Sequence, residues 1–278
     1  MPRVSTVVPR ATRENSVIHT TAEHVEVPMT HHQSPPPRIL HPDPRPALTS
    51  LDSELDGRSI AYGVAGEGPP LVFLHGWGSS HRTYQQSLVR LARNGARVLA
   101  PSLPGFGGTA ELPRGERHPA GYARWLGRFI DSACVTEPVT LVGHSFGGGV
   151  AIQTAHDLPD HVARLVLVNS IGGGIGPRAA ANGHPIRAVL PHEWRATTGG
   201  GDQTRQLDRL ADRGLPVTLL WARGDQVIPR AGLESLRTAL RRPPVFTVAG
   251  SHEWPVGDPH GFGHAMRTVL AWPPRVAA

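Results

Sequence analysis

Residues 139–150 read VTLVGHSFGGGV, and this stretch decides the fold. Val139, Leu141 and Val142 form a short apolar run with the length and β-branched character of a buried strand. Gly143 and Gly147 stand two positions either side of Ser145, where a Cβ would strike neighbouring backbone. A turn this sharp holds its central residue in strained backbone and aims that side chain outward. Phe146 then opens a helix, whose unpaired N–H donors and dipole favour negative charge. Strand, G-x-S-x-G turn and helix together make a nucleophile elbow. Alone, the pentapeptide suits an ordinary loop serine equally, so the flanking segments must decide.

Upstream, residues 51–66 (LDSELDGRSIAYGVAG) predict two strands around an Asp56-Gly57 hairpin turn. A buried strand at 71–74 runs into His75-Gly76-Trp77-Gly78, and a helix is expected over about 80–94, with Tyr84, Leu88, Val89 and Leu91 on one face. A strand at 96–100 ends in PSLPGFGG, and Tyr122, Trp125, Leu126, Phe129 and Ile130 recur at helical spacing before the elbow. Cys134, closing that helix, reads as a small apolar filler.

Downstream, the elbow helix runs to about Leu158 and a strand follows at 163–169. The pattern lapses over 170–214, a Gly- and Ala-rich segment too long for an ordinary connection, and a short lid is expected over about 174–214. A strand at 217–221 leads to Ala222-Arg223-Gly224-Asp225, a helix spans about 230–241, and a strand at 245–248 leads to Gly250-Ser251-His252. Asp258-Pro259 is a helix start, and that helix reaches about Trp272. Such alternation predicts an α/β fold with a mostly parallel sheet covered by helices on both faces.

Residues 1–49 differ in kind: they are rich in Pro, Ser, Thr and His (SPPPRILHPDPRP at 34–46) and lack periodicity. They cannot offset the entropy of ordering, so a disordered tail joined to one domain over 50–278 is expected. No apolar run has the length of a secretory leader core or of a membrane span. A cytoplasmic protein with no membrane partner is the expectation, and the single cysteine precludes an intrachain disulfide. The net charge of +6 is carried by scattered arginines without one lysine, not by the basic stripe with interleaved aromatics that nucleic acid requires. Of the sixteen histidines, His260 and His264 have helical chelating spacing but no third ligand motif, so no metal is expected.

With these pieces assembled, the chain resembles the α/β-hydrolase superfamily, in its serine-nucleophile, esterase-like branch, from about Leu51 to Trp272. The likeness is carried by HGWG at 75–78, PSLPGFGG at 101–108, GHSFG at 143–147, WARGDQVIP at 221–229 and GSHEWP at 250–255, in the superfamily's order Ser, Asp, His. The resemblance implies Ser145 as nucleophile, His252 as general base and later acid, and Asp225 as the carboxylate that orients it. It further implies an oxyanion hole from the backbone N–H groups of Trp77 and Phe146, substrate contacts from His75, Gly76, Trp77 and His144, and no cofactor. Relatives usually carry Asp where this chain has Ser102, so the hydrogen bond behind that loop is either missing or made differently. The lid is also shorter than the helical cap of many relatives.

A serine at the elbow argues against the aspartate-nucleophile relatives, the haloalkane dehalogenases and epoxide hydrolases. Acyl chemistry remains, on a small-molecule substrate that is largely uncharged, since no acidic or basic cluster adjoins the motifs. An ester is the leading expectation. A thioester, a lactone or a C–C bond would be cleaved on the same triad, and a non-hydrolytic ligand-binding member would keep the triad without turnover. The oligomeric state has no signature here.

Overall fold

The structure is a computed structural model that describes residues 25–26, 46–133, 135–174, 192, 194 and 202–272. Its strands are β1 (Val25–Glu26), β2 (Thr49–Leu55), β3 (Arg58–Ala65), β4 (Pro70–Leu74), β5 (Arg97–Pro101), β6 (Val139–His144), β7 (Val162–Val168), β8 (Val217–Ala222) and β9 (Val245–Val248). They form one sheet in the order β1-β9-β8-β7-β6-β4-β5-β3-β2. The β2–β3 and β3–β5 pairs are antiparallel, and every other pair is parallel. The helices are α1 (Gln85–Arg93), α2 (Pro119–Ser132), α3 (Phe146–Asp157), α4 (Thr204–Asp212), α5 (Arg230–Ala239), α6 (Trp254–Gly257) and α7 (Pro259–Ala271).

The central strands read as continuous apolar runs because both of their faces are covered. In β7, Leu165 and Leu167 join the core beneath α2 to α5, while Val166 and Val168 join the core beneath α1 and α7. The same alternation in β4 sends Val72 and Leu74 to one side and Leu71 and Phe73 to the other. Helix α3 is buried from Phe146 to Ala155, and α2 and α4 pack beside it. Local chemistry sets the helix starts: Asp258 accepts from the Gly261 N–H at 2.8 Å ahead of Pro259, and His118 caps α2 in the same way ahead of Pro119.

The expected elements are found with small shifts. Strand β2 begins at Thr49 and not at Leu51. Helix α1 begins at Gln85, because residues 80–84 form successive turns closed by Ser80 and His81 carbonyls. Within the region expected as lid, Thr204–Asp212 is a helix whose Leu207 and Leu210 are fully buried, so this part belongs to the α/β body. Residues 175–191, 193 and 195–201 of that lid, Cys134, and the tail apart from 25–26 and 46–49 lie outside the described residues. Val25–Glu26 pairs in parallel with β9, extending the sheet at that edge.

The chain leaves β4 in one direction to β5 and returns to β6 on the other side of β4. The loops after β4 and β6 therefore diverge at a topological switch point, the place where open α/β sheets bind ligands. What lets α3 start there is close backbone approach: a Cβ on Gly147 would lie 2.4 Å from the Leu74 carbonyl oxygen, and one on Gly143 would lie 2.5 Å from that of Gly147. Gly147→Ala is expected to destabilise the protein by about 3 kcal/mol or more, whereas Gly57→Asn, in open space, should stay within about 1 kcal/mol. Urea unfolding of the two variants checks this; equal midpoints would refute the close-approach argument.

Candidate active site

Ser145 sits at φ 53° and ψ −117°, a strained conformation for a residue with a side chain. It is held there from both sides: its N–H donates to the Val168 carbonyl at 3.0 Å, and its own carbonyl accepts from Gly148 at 3.0 Å and Ile171 at 3.2 Å. Residues 141–144 and 146–150 are buried, while Ser145 keeps partial exposure. The backbone thus lifts one hydroxyl out of an otherwise sealed turn.

His252, in the loop after β9, brings Nε2 to 2.9 Å from Ser145 Oγ. Its Nδ1 lies 2.9 Å from Asp225 Oδ2, in the loop after β8. The Asp225 side chain is 1% exposed, yet its carboxylate is well provided with donors. Val227 and Ile228 N–H donate to Oδ1 at 2.8 and 2.9 Å, and Asn169 Nδ2 donates to Oδ2. Burial pushes this carboxyl up, but the His252 contact and the Ile228 and Asn169 hydrogen bonds outweigh it and hold Asp225 below the usual carboxylate value.

Above Ser145, Phe146 contributes the first N–H of α3, which has no partner within the helix. Trp77 follows β4 and is 36% exposed, with its ring edge-on to Phe146 at 5.1 Å and to Phe106 at 4.9 Å. Tyr122 and Trp194 extend this aromatic wall behind Phe146. Beside Trp77 a cleft of about 360 Å³ opens, lined by Pro104, Phe106, Leu112 and Tyr122, with the Arg117–Glu111 ion pair and His192 among its polar groups.

A family model described as the alpha/beta hydrolase fold matches residues 69–187, the segment that runs from β4 through the elbow. Over this segment the chain matches the α/β-hydrolase superfamily. It is 40% identical over 116 residues to an uncharacterized protein of Mycobacterium tuberculosis, a match covering 42% of this chain and 33% of that one. The chain therefore spans about a third of the length of that relative. It is 32% identical over 189 residues to the 2-hydroxymuconate semialdehyde hydrolase of Pseudomonas putida, covering 64% of this chain and 61% of the relative. Among solved structures, a serine hydrolase involved in carbazole degradation superposes with a TM-score of 0.65 at 22% identity, over 81% of this chain and 99% of the other.

Of the four residues expected to touch substrate, His75, Gly76 and His144 do not line the cleft. His75 is buried, with Nδ1 donating to the Gly76 carbonyl at 2.7 Å and Nε2 accepting from Leu103 N–H at 2.8 Å, so it ties the loop after β4 to the loop after β5. His144 has no exposed surface, and both of its ring nitrogens bond within the protein, to Tyr84 and to the His252 carbonyl. Gly76 is likewise buried, and Trp77 alone of the four reaches the surface. His260 and His264 each face a guanidinium, from Arg90 and Arg267, and no group of three metal-ligating side chains occurs among the described residues.

In place of the aspartate stands a neutral pair. Ser102 Oγ lies 2.8 Å from His81 Nδ1 and accepts from the His81 N–H at 3.3 Å, while His81 Nε2 reaches Ser50 Oγ at 3.1 Å. Asn169 and Trp254 had no sequence reading as site residues. Asn169 is buried at φ 43°, and its Oδ1 accepts from Trp254 Nε1 at 2.9 Å while its amide holds Asp225. The available signal was position: Asn tolerates left-handed backbone, and Asn169 directly follows β7, which pairs with the strand that leads to Asp225.

Burial lowers His75 to about 4 and His144 to about 3, the neighbouring histidines pushing the same way. With folded values depressed below the unfolded value near 6.5, the unfolded chain takes up protons first. Stability from these rings is complete above about pH 6.5 and is lost as pH falls towards 4. At about 1.4 kcal/mol per unit per group, the two rings together withdraw several kcal/mol by pH 4. Urea midpoints measured from pH 7 to pH 4.5 should fall steeply, and His144→Gln should flatten the fall; a level wild-type profile would refute neutral burial.

Proposed function

We propose that this protein is a serine hydrolase that cleaves an ester, or a related acyl bond, of a small, largely uncharged substrate through an acyl-serine intermediate. The observation that carries the reading is the unbroken line from Asp225 through His252 to Ser145, each gap 2.9 Å, ending at a serine in strained and outward-facing backbone. A neutral serine hydroxyl is a poor nucleophile, and a base in hydrogen-bond reach is what activates it. His252 takes the Oγ proton as the hydroxyl attacks the carbonyl, and returns it to the leaving group. Water activated by the same ring then releases the acid. The N–H groups of Phe146 and Trp77 receive the oxyanion, with each such donor worth about 3–4 kcal/mol in the transition state.

The aromatic wall of Trp77, Phe106 and Phe146 and the modest cleft beside it favour an apolar acyl or alcohol group. A second reading, hydrolysis of a C–C bond, is supported by the 32% identity to 2-hydroxymuconate semialdehyde hydrolase. On this reading the α/β unit acts on a small molecule and needs no metal or organic cofactor.

Fluorophosphonate labelling and turnover of short and medium p-nitrophenyl esters test the reading, with 2-hydroxymuconate semialdehyde as the competing substrate. Wild type should label and turn over; Ser145→Ala should do neither. Asp225→Asn should lower kcat by about 10⁴-fold by favouring the wrong His252 tautomer. Faster turnover of the semialdehyde than of any ester moves the assignment to C–C cleavage. A wild type inert to label and substrates alike leaves a ligand-binding member of the fold.

A further inference from the structure

His144 precedes the elbow serine and is wholly buried, so its contribution must pass through its two hydrogen bonds. Nε2 lies 3.0 Å from the backbone carbonyl of His252. A carbonyl only accepts, so Nε2 carries the proton and Nδ1 presents a lone pair. The Tyr84 hydroxyl, 2.7 Å from Nδ1, must then be the donor, which leaves its oxygen free to accept the Gly76 N–H at 3.4 Å. The donors run in one direction, from Gly76 to Tyr84 to His144 to the His252 carbonyl, and the Ser79 side chain also interacts with the Tyr84 hydroxyl.

This chain joins three loops at their roots. Gly76 adjoins Trp77 in the loop after β4, His144 ends β6 and adjoins Ser145, and the His252 carbonyl belongs to the loop after β9. The His144 and His252 rings lie 4.9 Å apart between centroids, tilted by 41°. His252 is thus gripped twice, its ring by Asp225 and its backbone by His144. Burial keeps His144 neutral, so the grip persists across the pH range in which a histidine base operates.

Resting on the hydrolase reading above, we propose that His144 and Tyr84 are positioning residues: Tyr84 fixes the His144 tautomer, and His144 Nε2–H holds the His252 backbone in line with Ser145. A displacement of about 1 Å in a reacting group is enough to lower a rate by about 10²-fold.

The test compares His144→Gln, whose amide N–H extends to the position of Nε2, with His144→Asn, whose shorter amide reaches Tyr84 but not His252. Fluorophosphonate inactivation and kcat should fall by about 10²-fold in His144→Asn with KM within about threefold, while His144→Gln stays within about fivefold of wild type. Both variants should unfold at similar temperatures, so a loss confined to Asn reports position and not stability. Independently of any turnover, ¹⁵N NMR of the histidines should show His144 as the neutral Nε2–H tautomer, and Tyr84→Phe should mix its tautomers. An Nδ1–H tautomer in the wild type, or equal reactivity of the Gln and Asn variants, overturns the proposal. If the wild type fails to label while the Nε2–H tautomer is present and depends on Tyr84, the clamp stands and the hydrolase reading falls.

Discussion

The distance between the start of helix α3 and the strands in front of it governs the rest of the site. Gly147 sits where a single methyl would collide with the Leu74 and His75 carbonyls, and Gly148 where it would meet Ser170. Only with these side chains absent can α3 pass so near to β4 and β6 and turn its first N–H towards the sheet edge. The strain at Ser145 follows from the same proximity, because the chain must reverse within one residue between strand and helix. Its N–H donates to Val168, and the N–H groups of Gly148 and Ile171 donate to its carbonyl, so that residue is over-determined. Strain of roughly 1–3 kcal/mol is tolerated where the surroundings fix the backbone so fully.

Much of this was legible in the sequence because each reactive residue follows an apolar run of strand length. Ser145, Asp225 and His252 end three different runs, and period and position sufficed to set them on one edge of a sheet. The helix starts at Asp258-Pro259 and the hairpin at Asp56-Gly57 were legible for local reasons, since a cap and a tight turn are decided by neighbours in sequence. What could not be read was which polar residues face inward. His75 and His144 stand beside site residues in the chain, yet backbone geometry turns them into the protein, where they bond to Leu103 and Tyr84. Tyr84 read as a core aromatic at helical spacing, and the destination of its hydroxyl depends on a contact 60 residues away.

The Ser102 substitution shows the same limit from the other side. Replacing an expected carboxylate by a hydroxyl does not dismantle the loop, because His81 supplies a buried neutral partner and itself reaches back to Ser50 on β2. Burial lowers His81 to about 4, with Arg82 acting in the same direction against Asp52, so the pair carries no charge at neutral pH. A buried ion would have needed full compensation, whereas two neutral groups need only satisfy one another. The exchange therefore leaves the electrostatics of the site to Asp225.

That concentration of charge sets the direction in which protons can move. His75, His81 and His144 are all neutral, and Asp225 is held ionised by its contact with His252 and by donors from Asn169, Val227 and Ile228. A single anion at 2.9 Å selects the His252 tautomer with its proton on Nδ1, since only that form donates to Oδ2. Nε2 is then left with a lone pair aimed at Ser145 Oγ. On the proposed mechanism the hydroxyl proton has one destination, and the imidazolium that results is stabilised by the carboxylate that chose the tautomer. Trp254 enters this account at one remove, because its Nε1–H turns the Asn169 amide so that nitrogen, and not oxygen, faces Asp225.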